Sequence, residues 1–208
     1  ALDIDPMKDE EEKDPRVLKW FEELFERYPK LEVCREQVMT AYRLLEECYA
    51  SGGKVMAVGN GGSCADCAHI VGELMKGFWL KRPLDEEKRN AIRSATEKLL
   101  PGAAELFQQG LPAIDLTSHA ALSTAVQNDL DPCMAPAQQV VGYGRPGDVV
   151  IGISTSGNAK NVALAVATAN ALGIRTIGLT GGSGGRLAEL CDCAICVPAH
   201  TPAEVQEF

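Results

Sequence analysis

Apolar positions between Arg16 and Tyr49 recur at three- and four-residue spacing: Val17, Leu18, Phe21, Leu24 and Phe25, then Val38, Ala41, Leu44, Leu45 and Cys48. That period predicts two amphipathic helices, and Pro29 separates them. Neither helix can cover its own apolar stripe, so each must pack on a sheet or on another subunit. Beyond them the pattern changes to short apolar runs bounded by Gly, Pro, Ser and Asp. KVMAVGN (54–60), PAIDLT (112–117), DVVIGIST (148–155), RTIGLTG (175–181) and CAICVPA (193–199) read as five strands. Helix-patterned segments lie between them, AKNVALAVATANALG (159–173) being the clearest. Near-continuous apolar strands alternating with helices predict a buried parallel sheet covered on both faces, an α/β fold.

Two stretches depart from that alternation. Residues 1–15 are acidic, carry two prolines and have no apolar period, so they read as a loose arm. ALDIDP ahead of Met7 reads as a non-native prefix, with Met7 the natural start. Residues 84–110 contain one charged helix and room for a second after Pro101. This insertion either decorates a sheet edge or serves as a lid or oligomer contact.

Composition narrows the function classes. The 208 residues are 46 % hydrophobic and 24 % charged, enough for a single domain with a real core. A formal charge of −9 argues against an electrostatic nucleic-acid binder. No apolar run approaches the roughly 20 residues that span a bilayer, and no secretory signal opens the chain. With eight cysteines in a chain of this length, reduced free thiols in a cytoplasmic enzyme fit better than a disulfide framework.

Candidate chemistry concentrates where strands end. VGNGGS follows the first strand, and its Gly61 and Gly62 let the backbone approach an anion while Ser63 is placed to cap the next helix. ISTSGNAKN follows the third strand and offers Ser154, Thr155 and Ser156, a nest for one phosphate monoester. Each alone could be an ordinary capped turn; together, at the carboxyl ends of separate strands, they point to phosphate. GNGGSC lacks the Lys-Ser/Thr ending of a P-loop and carries Cys64 where a G-x-G-x-x-G fingerprint needs its last glycine. A small phosphorylated metabolite therefore fits better than a nucleotide. His69 and Glu73 lie four apart on the following helix and share a face, a spacing that suits a transition metal, an acid/base pair or a surface contact. Cys64, Cys67, Cys191, Cys193 and Cys196 could join His69 around a metal, but buried thiols acting as small hydrophobes account for their positions more simply.

In order, GNGGSCADCAHIVGEL (59–74), NDLDP (128–132), GDVVIGISTSGNAKNV (147–162), IGLTGGSGGRLAEL (177–190) and VPAHTPAEVQE (197–207) resemble the sugar-isomerase (SIS) domain, and more narrowly its phosphoheptose isomerase branch. The resemblance implies a five-stranded parallel sheet in flavodoxin-like order between helical layers. It also implies a cytoplasmic homotetramer with active sites at subunit interfaces. It assigns phosphate binding to Ser63, Ser154, Thr155 and Ser156, and places Asn60 and Asp129 near the sugar. His69, Glu73 and Gln206 match ligands of one zinc ion per subunit, and Glu73 matches one acid/base group. The implied activity is aldose–ketose isomerisation of a sugar phosphate such as sedoheptulose 7-phosphate. A further zinc-binding, catalytic histidine is implied two helical turns past Gln206, so the last helix reads as cut short at Phe208. Gly77 stands where the family commonly has an arginine, and Ala159 where it often has a phosphate-reaching serine; these departures bear on sugar specificity more than on phosphate. Two other readings remain: a non-catalytic SIS module that binds a phosphosugar or a protein partner, like a replication-initiation factor, or an isomerase for another sugar phosphate. Glu73 favours the enzyme, because that non-catalytic relative lacks the glutamate.

Overall fold

The computed structural model describes residues 15–208, so the acidic arm and prefix lie outside the described residues but for Pro15. Pro15 opens α1 (Pro15–Arg27), a 3-10 segment spans Pro29–Cys34, and α2 runs Arg35–Ala50. Proline at the first helical position needs no N–H partner, which lets Pro15 start one element and Pro29 the next. The five strands follow as β1 (Val55–Val58), β2 (Ala113–Asp115), β3 (Val149–Ile153), β4 (Arg175–Gly181) and β5 (Cys193–Val197). All pairings are parallel, in the order β2-β1-β3-β4-β5. This is the sandwich that the strand pattern and the resemblance imply.

Every residue of β1 and of β3 is buried, as a strand covered on both faces must be. On one face Ala41, Leu44 and Cys48 of α2, with Cys67 and Ile70 of α3 (Gly62–Met75), pack against Val55, Ala57, Val149 and Ile151. On the other, Val140 of α7 (Ala135–Tyr143) and Val162, Ala165 and Val166 of α8 (Lys160–Ala171) pack with Met56, Val58 and Val150, with Leu187 of α9 (Gly185–Leu190) beside them. The helix after β1 thus covers one face and the helix after β3 the opposite face. Since β1 and β3 are neighbours, the chain reverses direction between them, and a crevice opens above their carboxyl ends.

At the other end of the same strands, Asp148 locks β1 to β3. Its carboxylate accepts from the backbone N–H of Lys54 at 3.0 Å, the Lys54 ammonium at 2.6 Å and the N–H of Arg145 at 2.7 Å, and it is buried.

The insertion forms α4 (Glu86–Thr96), capped by the Asp85 side chain, and a short α5 (Ala103–Leu106) after Pro101, as the sequence suggests. Its two ends are tied together where Gln109 N–H donates to Arg82 O at 2.7 Å. The Arg82 guanidinium reaches the last turn of α3, donating to the carbonyls of Glu73 at 3.1 Å and Leu74 at 2.6 Å. The insertion is therefore rooted on the turn that carries Glu73. Among the described residues no helix is long and apolar enough to cross a membrane.

All eight cysteines are free, and Cys34, Cys48, Cys67 and Cys193 are buried. Desolvation pushes the Cys67 thiol up to about 12, and those of Cys48 and Cys193 to about 11. A thiol reagent at pH 8 is expected to modify these four only after unfolding. The folded thiols hold their protons to higher pH than unfolded ones do. Their stabilising contribution is therefore whole below about pH 8.5 and is lost as pH rises toward 11 and 12. Modification of Cys67 in the native protein, or a stability flat from pH 8 to 10, would contradict this.

Candidate active site

The crevice is built from two turns. After β1 the chain passes through Gly61, whose φ of +55° and ψ of −120° are open to glycine and not to residues with a side chain, and then enters α3. Gly61, not Ser63, is the N-cap, and no side chain caps the helix. The sequence reading of Ser63 as the cap is corrected here: the positive-φ turn makes the glycine the boundary, and Ser63 falls inside the first turn. Its hydroxyl is thus left to the cavity it lines.

After β3 the turn is pinned from several sides. Gly157 N–H donates to Ser154 O at 2.9 Å, Gly181 N–H to Thr155 O at 3.1 Å and Leu187 N–H to Gly157 O at 3.1 Å. Gly157 has φ +67°, and a Cβ there would lie 1.8 Å from Gly184 O, so this position admits only glycine. Ser156 Oγ accepts from Asn158 N–H at 3.3 Å, which leaves its proton free to donate. The helix that follows, α8, has Ala159 as its N-cap and so no side-chain cap. Both α3 and α8 therefore present unsatisfied N–H groups and the positive ends of their dipoles.

A cavity of about 300 Å³ joins the two turns, lined by Asn60, Ser63, Ser154, Thr155, Ser156, Asn158 and Gln206 among others. A larger one of about 590 Å³ shares Ser63, Thr155 and Gln206 as a common wall and adds Asp66, His69 and an apolar side formed by Leu24, Leu31, Val38 and Ile70. The structure thus brings together Asn60, Gly61, Gly62, Ser63, the three residues 154–156, His69 and Gln206. Another cavity, about 660 Å³, lies on the outer side of α8 and α9 and touches neither serine set, so volume alone does not mark the site.

Two expected residues stand apart. Asp129 ends α6 (Ala120–Asp129), accepts from the Asn128 amide at 2.7 Å, and lines neither cavity of the crevice. Glu73 is also off the cavity walls. It is half exposed, and its carboxylate lies 4.0 Å from His69 Nε2, which brings it to the cavity's edge through that imidazole.

His69 and Glu73 share a helix face with N and O 4.0 Å apart, wider than the roughly 3.3 Å between tetrahedral ligands with bonds of about 2 Å, so both side chains would have to close in to hold an ion. Gln206 of α10 (Pro202–Glu207) supplies an amide oxygen on the same cavity wall as His69. Its amide head nevertheless lies against Gly62, where a Cβ would come within 2.2 Å of Nε2. Gly62 is the far end of α3, about 16 Å along the axis from Glu73. Among the described residues no three of His, Cys, Asp and Glu gather as a metal site. The donor set therefore fits zinc only in part: His69 and Glu73 stand side by side on α3, and Gln206 faces the phosphate-side turn.

Asp66 was not singled out in the sequence, yet it lines the larger cavity. The signal was present: Asp66, His69 and Glu73 are spaced three and four apart and so form one stripe on α3. Asn161 was missed as well. Its amide and that of Asn60 exchange two hydrogen bonds of 2.9 Å across 101 residues.

The SIS domain model matches residues 134–207. A phosphoheptose isomerase from Thiobacillus denitrificans is 40 % identical over 169 residues, covering 80 % of this chain and 73 % of that protein. One from Geotalea daltonii is 38 % identical over 171 residues, covering 82 % and 76 %. Among solved structures, the phosphoheptose isomerase GmhA from Neisseria gonorrhoeae superposes with a TM-score of 0.68 at 31 % identity, over 92 % of this chain and 89 % of that one. The phosphoheptose isomerase from Francisella tularensis gives 0.70 at 28 % identity, with the same coverage.

Proposed function

The chain belongs to the phosphoheptose isomerase family, and from that membership and its crevice we propose that it interconverts sedoheptulose 7-phosphate and an aldose heptose 7-phosphate. The observation that carries the reading is one cavity, at the reversal point of the sheet, lined by Ser63 and by Ser154, Thr155 and Ser156 between two uncapped helix N-termini. Hydroxyl donors, backbone N–H groups and two dipole ends suit a phosphate dianion. In an interior crevice these donors fix the substrate's end and set the open-chain carbons over the larger cavity.

Isomerisation then requires a proton to leave C1 of the ketose and to return at C2. The intermediate enediol carries hydroxyls on both carbons, so the sum of atoms is unchanged. Glu73 serves as one of the two acid/base groups, taking the C1 proton with the His69 imidazole beside its carboxylate, while the hydroxyl proton passes from the oxygen on C1 to the oxygen on C2. His69 and Glu73 would hold zinc, which would polarise the carbonyl and enediol oxygens, and Gln206 would join them only once its amide leaves Gly62. We take the working form to be a cytoplasmic homotetramer in which neighbouring copies complete the crevice. The half-exposed Glu73 and the exposed Phe78, Trp79 and Leu80 beyond α3 support such contacts.

The test is to incubate the purified protein with sedoheptulose 7-phosphate, follow the anomeric protons of the aldose by NMR, and measure bound metal alongside. Conversion to an equilibrium mixture and about one zinc per chain are expected. Failure to convert the heptulose phosphate, with turnover of another ketose phosphate, would overturn the assigned sugar. Failure to bind any phosphosugar would overturn the site.

A further inference from the structure

We propose that Asn161 is a positioning residue: its amide pairs with that of Asn60 and acts as a strut that holds the two anion-binding turns at a fixed spacing. This rests on the phosphosugar reading of the crevice and adds to it a residue outside the cavity wall.

Asn60 sits in the turn after β1, two residues before α3 begins, and Asn161 is the second residue of α8. They belong to the two elements whose N-termini converge on the smaller cavity, on opposite faces of the sheet. Asn60 Nδ2 donates to Asn161 Oδ1, and Asn161 Nδ2 donates to Asn60 Oδ1, each at 2.9 Å. In such a pair neither amide can turn over alone, because nitrogen would then face nitrogen and oxygen would face oxygen. Asn161 therefore fixes which atoms Asn60 offers to the cavity. Each amide uses one N–H and one lone pair in the pair, so Asn60 keeps a second donor and a second acceptor for a ligand.

The electrostatics give the strut a purpose. With the anion absent, two positive helix ends face the same small space and repel each other. The 154–158 turn is pinned to the 181–187 segment by backbone bonds, whereas Asn60 and Gly61 are exposed and precede an uncapped helix. The amide pair is the side-chain link that ties the less restrained turn to the more restrained one. A strut of this kind is expected to lower the cost of ordering both turns around the phosphate. An aspartate at 161 would break one of the two bonds and add a competing anion at the α8 N-terminus.

The experiment is a double-mutant cycle on the full chain: wild type, Asn60→Ala, Asn161→Ala and the double variant. The readouts are the calorimetric Kd for inorganic phosphate, KM and kcat for sedoheptulose 7-phosphate, and the melting temperature. Asn161→Ala is expected to weaken phosphate binding and raise KM by about tenfold, with a smaller change in kcat and little change in melting temperature. In the Asn60→Ala background the same change is expected to have almost no further effect. A full tenfold effect of Asn161→Ala in that background would overturn the strut, since Asn161 would then act on the ligand by itself. Unchanged Kd and KM in Asn161→Ala, or a loss confined to melting temperature, would also overturn it. The cycle on phosphate is independent of turnover. A wild type that binds phosphate but does not convert the heptulose phosphate removes the proposed reaction and leaves the strut to be judged by Kd. A wild type that binds no phosphate removes both.

Discussion

Glu73→Gln is expected to lower kcat by about 10²–10⁴-fold while phosphosugar affinity stays within a few-fold of wild type. The substitution keeps the size of the side chain and a hydrogen-bonding carbonyl, and it removes the one thing proton transfer needs, an ionisable oxygen. Glu73 is half exposed on α3 and makes no buried contact that the amide would break, so folding stability should change by no more than about 0.5 kcal/mol. Because Glu73 is also a proposed metal donor, zinc content should be measured in parallel. Lost turnover with metal retained isolates proton transfer, and lost turnover restored by added zinc assigns Glu73 to the metal. Turnover within tenfold of wild type would remove Glu73 from the chemistry. Asp66 would then be the carboxylate to examine, since it lines the larger cavity beside His69.

That alternative shows where the sequence was legible and where it was not. The five strands and the two turns at their carboxyl ends follow from apolar runs punctuated by glycine, because burial on both faces leaves a one-dimensional trace, whereas the flavodoxin-like order comes from the family resemblance alone. The 84–110 segment was separable for the same reason, as a polar helix inside a series of apolar ones. What periodicity could not give is contact between residues far apart in the chain. Asn60 and Asn161 are unremarkable in isolation, and only the sheet order, which sets β1 beside β3, makes them partners. The resemblance sets Gln206 beside His69 and Glu73, whereas its amide lies on Gly62 at the other end of α3. Serine commonly caps helices, which makes Ser63 the expected cap, but a glycine with positive φ two residues earlier is the N-cap. In each case the local rule was sound, and tertiary placement decided which residue it applied to.

Asp148→Ala should be the most damaging single change to the framework, costing about 3–5 kcal/mol, the usual loss when one member of a buried ion pair is removed. The aspartate is 2 % exposed, so water cannot replace what it provides. Its removal leaves the Lys54 ammonium without its partner and the N–H groups of Lys54 and Arg145 without acceptors, at the point where β1 and β3 begin. A chain of this size loses about 2–4 °C in Tm per kcal/mol, so a fall on the order of 10 °C is expected in a thermal scan, with a matching drop in urea midpoint. Lys54→Met should cost much less, because the carboxylate keeps both backbone donors and the replaced ammonium was partly exposed. The double variant should then be less destabilised than the sum of the two singles, since the unpaired ammonium is removed together with its partner. Losses that add fully in the double would mean that the ammonium and the carboxylate are uncoupled, so that the aspartate joins the strands through its two backbone donors alone. The crevice lies at the opposite end of β1 and β3, so phosphate affinity measured well below the lowered Tm should be close to wild type. A loss of affinity as large as the loss of stability would show that the spacing of the two strands is set at their amino ends and transmitted along the sheet to the turns that hold the anion.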